Sequence, residues 1–221
     1  MKIGEQAVYL ARLKGLSKAD ANNKIKVWFE KLEMETWWNK KVEDLSKGMS
    51  QKLQFVTTVL HNPKLIILDE PFSGLDPVNA NLIKDEIFSL AKSGATIIFS
   101  THRMEQVEEI CSHIVLVNKG KKILDGTLVD IKNDFKENIY SLQATGLPEN
   151  INSTLFEIVG ETAGKLLLKL KDNARPNDVL QHFINEQAAI HSFNEVLPSL
   201  NEIFIKLVDG TATARQFQKV D

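Results

Sequence analysis

The chain has 221 residues, 43% of them hydrophobic and 25% charged, and 27 basic against 29 acidic side chains give a formal net charge of −2. Such a composition suits one large core or two modest ones and excludes collagen-like, disordered and disulfide-stapled chains. Near-neutral charge offers no general attraction to a nucleic-acid backbone, no apolar run reaches the roughly 20 residues of a spanning helix, and Met1 to Leu10 lacks a signal-peptide core, so a cytosolic chain without a nucleic-acid partner is expected.

Helices are predicted over Gly4 to Leu13 and Lys18 to Leu32, the second capped by Ser17 and carrying Val27, Phe29 and Leu32 at helical spacing. Met34 to Asp44 has no clean period and reads as a short helix or loop. Ser46 then precedes Met49, Leu53, Val56 and Leu60, which fall on one face of a helix that ends before Pro63. The apolar run Leu65-Ile66-Ile67-Leu68 reads as a strand buried on both faces of a parallel sheet, and Ala95 to Ser100 as a second. Between them Pro77 to Lys92 is helical, with Asp76 as N-cap, proline in the first position and Gly94 just past the end. Strand, helix, strand in this order is the right-handed crossover of an α/β layer.

A helix over 103–111, a strand from Ile114 to Val117, a turn at Lys119-Gly120-Lys121, a strand at Ile123-Leu124 and a helix over 127–136 continue this region. From Asn138 the pattern changes to strands at Tyr140 to Ala144, Thr154 to Val159 and Leu166 to Leu170, a helix over 176–187, an extended Ile190 to Leu197, and a closing helix on Leu200, Ile203, Phe204 and Leu207. This predicts a small α+β domain over 138–209 and a frayed tail over 210–221, the boundary set by the composition change and the polar Lys132-Asn133-Asp134. The single cysteine, Cys111, has no Cys/His cluster beside it and reads as a reduced, packed thiol.

Three places carry chemistry. Asp69 and Glu70 stand where an apolar strand stops, and strand alternation would turn one toward a metal and the other toward a water. The neighbouring strand ends in Ser100-Thr101-His102, within reach of a phosphate shared with those acids. Leu45-Ser46-Lys47-Gly48-Met49-Ser50-Gln51 opens a helix whose free N–H groups favour an anion.

In this order the motifs resemble an ATP-binding-cassette (ABC) ATPase. Leu45 to Gln51 is similar to the signature motif, Leu65 to Glu70 to the Walker B strand with its catalytic glutamate, Ser73 to Asp76 to the D-loop, and His102 to the switch histidine. Lys47 and Met49 depart from the common Ser-Gly-Gly-Gln, while Ser46 and Gly48 match it. Pro198 to Phe204 looks like the end of the accessory domain that follows cassettes of the sodium- and drug-efflux type.

The resemblance implies an α/β fold: a partial P-loop NTPase cassette, with a helical subdomain over about 1–62 and a Walker B to switch region over 63–137, then the α+β domain. It implies ATP and Mg²⁺, with Asp69 holding the magnesium shell, Glu70 polarising the attacking water and His102 at the γ-phosphate. Ser46, Gly48, Gln51 and Asp76 would serve the nucleotide of a second ATPase subunit bound head-to-tail. A membrane-spanning permease is the other implied partner, placing the chain on the inner face of the plasma membrane as part of an exporter.

No Gly-x-x-x-x-Gly-Lys-Ser/Thr occurs; Gly160 to Leu166 is one residue short, has leucine where the hydroxyl belongs, and reads as a hairpin turn. Family members carry their phosphate loop, adenine-stacking aromatic and Q-loop glutamine before the helices that open this chain, which suggests a fragment or a late start. A non-catalytic interaction subunit remains an alternative. A soluble ABC ATPase acting on DNA or ribosomes would need a heptad insertion or a second cassette, and the sequence has neither. Lys119, Lys121 and Lys122 read as a solvated turn, and Trp28, Phe29, Trp37 and Trp38 chiefly as core.

Overall fold

The computed structural model describes residues 1–148, 151 and 153–208, so the expected tail at 210–221 lies outside the described residues. Two units divide between Arg103 and Met104.

The first unit opens with α1 (Ile3–Leu13) and α2 (Lys18–Lys31), where the Ser17 hydroxyl accepts the Asp20 N–H at 3.1 Å. The aperiodic segment that follows forms two single 3₁₀ turns, Glu35–Trp37 and Val42–Asp44. Its carbonyls pair with the start of α1: Ile3 N–H donates to Lys40 and Gly4 N–H to Trp38, at 2.9 and 3.0 Å. Gly4 is required there, because a Cβ would lie 2.5 Å from the Trp38 ring. Trp28 and Phe29 are buried, whereas Trp37 and Trp38 are half-buried, Trp37 beneath the Lys40 ammonium at 3.9 Å.

Helix α3 (Lys47–Val59) is capped by Ser46, which accepts the Met49 N–H at 3.2 Å. It buries Leu53, Val56 and Leu60 as the spacing predicts, and also Phe55 and Val59, while Met49 is half-buried. Lys52 is buried as well, its ammonium donating to the Leu32 carbonyl at the end of α2 at 2.8 Å. That bond satisfies a helix-terminal carbonyl with a cation, the favourable sign for the helix dipole.

Strands β1 (Leu65–Asp69) and β2 (Thr96–Ser100) pair in parallel, joined by α4 (Pro77–Lys92). The expectation of a strand buried on both faces is corrected. Ile66 and Leu68 are buried, but Leu65 and Ile67 are 52% and 67% exposed and Ile98 is 54% exposed. A run of four apolar residues reads the same whether one or both of its faces is covered, and among the described residues only one is.

The second unit begins with α5 (Met104–Ile110), the antiparallel hairpin of β3 (His113–Asn118) and β4 (Lys121–Thr127), and α6 (Leu128–Asp134). A four-stranded antiparallel sheet follows in the order β6-β7-β5-β8, built from β5 (Ile139–Thr145), β6 (Phe156–Thr162), β7 (Lys165–Leu170) and β8 (Ala189–Val196). Helix α7 (Pro176–Asn185) packs Val179 and Phe183 against Leu142, Phe156, Leu168 and Leu170. The look-alike of a phosphate loop is the β6–β7 turn, with Thr162 opposite Lys165 and positive φ at Ala163 and Gly164.

Helix α8 (Leu200–Val208) does not join that sheet's core. Leu200 and Ile203 pack with Ile131 of α6 and with Met104 and Val107 of α5. Glu108 of α5 accepts the Leu200 N–H with one oxygen and pairs with Lys132 through the other, both at 2.5 Å. Helix α8 thus returns to residues 104–135, so the second unit starts well before the composition change near 137.

Candidate functional site

The parallel register sets Asp69 directly opposite Ser100, and the Ser100 hydroxyl donates to Asp69 Oδ1 at 2.5 Å. One residue on, Glu70 leaves the strand with a φ of 44°, a left-handed conformation uncommon for a residue with a side chain. Its N–H still donates to the Ser100 carbonyl at 2.9 Å, which holds the turn against β2. A backbone turn at Glu70, rather than simple strand alternation, therefore sets the directions of the two carboxylates.

Both oxygens of Glu70 are engaged by the end of β2. Oε1 accepts the His102 N–H at 3.0 Å and lies 2.6 Å from His102 Nδ1, and Oε2 accepts the Thr101 hydroxyl at 3.1 Å. Burial raises the Glu70 pKa, but the bonds from the His102 ring, the His102 N–H and Thr101 outweigh it and hold the carboxyl below its ordinary 4.5. Glu70 is an ionised acceptor at neutral pH. With Nδ1 committed to Glu70, the Nε2 of His102 is the ring atom left for a ligand, on a side chain 74% exposed.

The remaining residues gather around the start of α3 and the loop after Glu70. Gln51 donates from Nε2 to the carbonyls of Glu70 at 3.4 Å and Pro71 at 3.2 Å. Gly48 packs so closely on that loop that a Cβ would lie 3.1 Å from the Gly74 carbonyl oxygen. Asp76 caps α4, accepting the Asn79 N–H at 3.0 Å and the Asn79 side-chain amide at 2.5 Å, and these bonds hold its carboxyl below the ordinary 3.8.

Asp69, Glu70 and His102 thus meet at one end of the β1–β2 pair, and Gln51 reaches the same loop. Ser46 and Asp76 each hydrogen-bond within their own helix starts. Ser100 and Thr101 are the polar partners that sequence reasoning left without a role. The available signal was the parallel pairing, which places Ser100 beside Asp69, whereas Thr101 reaches Glu70 only after the turn there. Asp69 with the Ser100 hydroxyl is a hard-oxygen set of the kind Mg²⁺ takes alongside phosphates and water. Among the described residues no group of three or more His, Cys, Asp or Glu could hold a metal by itself.

Residues 126–208 match the family described as "ATP-binding protein DrrA1-3-like, C-terminal domain". Residues 8–107 match an AAA domain model whose description also names the AbiEii toxin of a type IV TA system. The chain is 42% identical over 209 residues to the uncharacterized ABC transporter ATP-binding protein YhaQ of Bacillus subtilis, covering 94% of this chain and 70% of that one. It is 37% identical over 117 residues to the Nod factor export ATP-binding protein I of Cupriavidus pinatubonensis, covering 53% and 36%. A solved structure described as the ATP binding subunit of an ABC transporter superposes with a TM-score of 0.57 at 31% identity, over 61% of this chain and 56% of that one. A relative 42% identical over most of both chains puts this chain in the family of ABC transporter ATP-binding proteins.

Proposed function

We propose that the chain supplies the water-activating acids and the signature helix of an ATPase that works as a head-to-tail pair beneath a membrane-spanning permease. The observation that carries this reading is the ionised Glu70 held by His102 and Thr101 at the end of an apolar strand. Glu70 orients the attacking water and takes its proton. A carboxylate with a lowered pKa is a weak base, but phosphoryl transfer through a loose transition state asks more for positioning than for basicity. His102 fixes Glu70 through Nδ1 and offers Nε2 to the γ-phosphate. Asp69, steadied by Ser100, would hold Mg²⁺, which would supply charge neutralisation to the phosphates.

Ser46, Gly48, Gln51 and Asp76 act on the nucleotide of the second subunit. The start of α3 offers N–H groups and a hydroxyl to a phosphate arriving from outside. The 221 residues contain no Gly-x-x-x-x-Gly-Lys-Ser/Thr. A relative named for Nod factor export supports export as the direction of transport, with the ATPase peripheral on the inner face of the plasma membrane.

The test joins the chain to the phosphate-loop segment of a relative. Glu70→Gln keeps the shape and removes the base, so ATP should still drive pairing while turnover falls on the order of 10²- to 10⁴-fold. Unchanged turnover would overturn the assignment.

A further inference from the structure

The residue that departs most from the common signature pattern has a place in the packing. Lys47 stands where the common motif has glycine, and it is the first residue of α3. Gly74, in the loop between Glu70 and Asp76, has a φ of +77°. A Cβ built on Gly74 would lie 2.8, 2.7 and 2.9 Å from Cγ, Cδ and Cε of Lys47, so three successive methylenes rest on the bare Cα. Gly48 abuts the carbonyl of the same glycine. Lys47 and Gly48 therefore grip Gly74 from its Cα and its carbonyl.

We infer that Lys47 is a positioning residue whose aliphatic stem clamps the Ser73–Asp76 loop to the start of α3. The ammonium has no hydrogen bond or ion pair among the described residues, so the contact belongs to the stem, the usual division of labour in a lysine whose head stays in water. A glycine at 47 would leave this space empty. The clamp lies between Ser46, one residue before it, and Asp76, two residues after Gly74. In the proposed function these are the groups that reach the partner's nucleotide, and the functional meaning of the clamp rests on that reading: Lys47 fixes their spacing before any nucleotide arrives. The loop has two amides that report on it, Ser73 N–H donating to the Glu70 carbonyl at 3.0 Å and Leu75 N–H to the Phe72 carbonyl at 3.3 Å.

Hydrogen exchange on the 221-residue chain, without nucleotide, tests the clamp. Lys47→Ala removes the stem but keeps a helix-forming residue, and exchange at Ser73 and Leu75 should quicken by about tenfold while the α1 amides stay as they were. Lys47→Met removes the charge and keeps the stem, and should exchange like the wild type. Unchanged exchange in Lys47→Ala, or equally fast exchange in Lys47→Met, overturns the inference. If Lys47→Ala does not fold, nuclear Overhauser contacts between the Lys47 methylenes and the Gly74 α protons in the wild-type chain decide it, and their absence overturns it. No step here involves ATP, so failure of the hydrolytic assignment leaves the clamp standing, and the converse holds.

Discussion

Oε1 of Glu70 meets His102 twice, 2.6 Å from the ring Nδ1 and 3.0 Å from the backbone nitrogen. The arrangement favours the ionised carboxylate, and the folded chain holds Glu70 below its ordinary pKa of 4.5. Its contribution to stability is accordingly complete above pH 4.5 and is lost as pH falls through the lower folded value. Urea midpoints of wild type and Glu70→Gln should differ at neutral pH and converge toward the acid end. A gap independent of pH would contradict this.

Ser46→Ala removes the cap of α3 and should cost about 1 kcal/mol of stability, measured by urea unfolding. Once the chain carries a phosphate-loop segment, the same change should weaken ATP-driven pairing beyond that loss. Heterodimers sharpen the test. Ser46→Ala on one subunit and Glu70→Gln on the other leaves one composite site intact, whereas both changes on one subunit damage each site once. Equal single-turnover rates in the two arrangements would show that Ser46 does not act across the pair.

At Gly4 two effects oppose each other. Alanine is the better helix former by up to about 1 kcal/mol, yet its Cβ would lie 2.5 to 2.7 Å from the Trp38 indole. Overpacking of a ring that the backbone already grips should win, with a net loss of about 1–3 kcal/mol and a shifted tryptophan emission. A Gly4→Ala chain as stable as wild type would show that α1 does not start against this ring.

Glu108 joins α5 to both Lys132 and the first turn of α8. Ending the chain at Leu197 should therefore loosen residues 104–135 by uncovering Ile131, Met104 and Val107, and leave the core around Leu168 and Phe183 protected. Hydrogen exchange reads both at once, and the expectation fails if the α6 amides keep their protection.

The candidate site could be picked out because its pattern consists of punctuation: an apolar strand ending in Asp69 and Glu70, a serine before a helical stripe, a proline after Asp76. The helices were legible for the same reason, since Ser17, Ser46 and Asp76 each accept the N–H expected of a cap. What covers an element was not. Leu65 to Leu68 gave no sign that alternate residues face water, and the stripe on α8 announced a buried face without saying that α5 and α6 would meet it. Ser100 gained a role only once the parallel register set it beside Asp69. The hold of Lys47 on Gly74 depends on a left-handed glycine that no spacing rule places.

Among the described residues Leu65, Ile67 and Ile98 give one side of the β1–β2 ribbon an uncovered apolar surface, and a two-stranded ribbon is marginal without a cover. Asp69 and Glu70 ride on the end of that ribbon, so their order is tied to the covering of its apolar face as well as to their own hydrogen bonds. Sulfate or trimethylamine oxide, which strengthen apolar burial by being excluded from protein surface, should tighten the carboxylate pair, and dilute urea should slacken it before the helices melt. The order of the carboxylate pair then rises when that apolar face is covered.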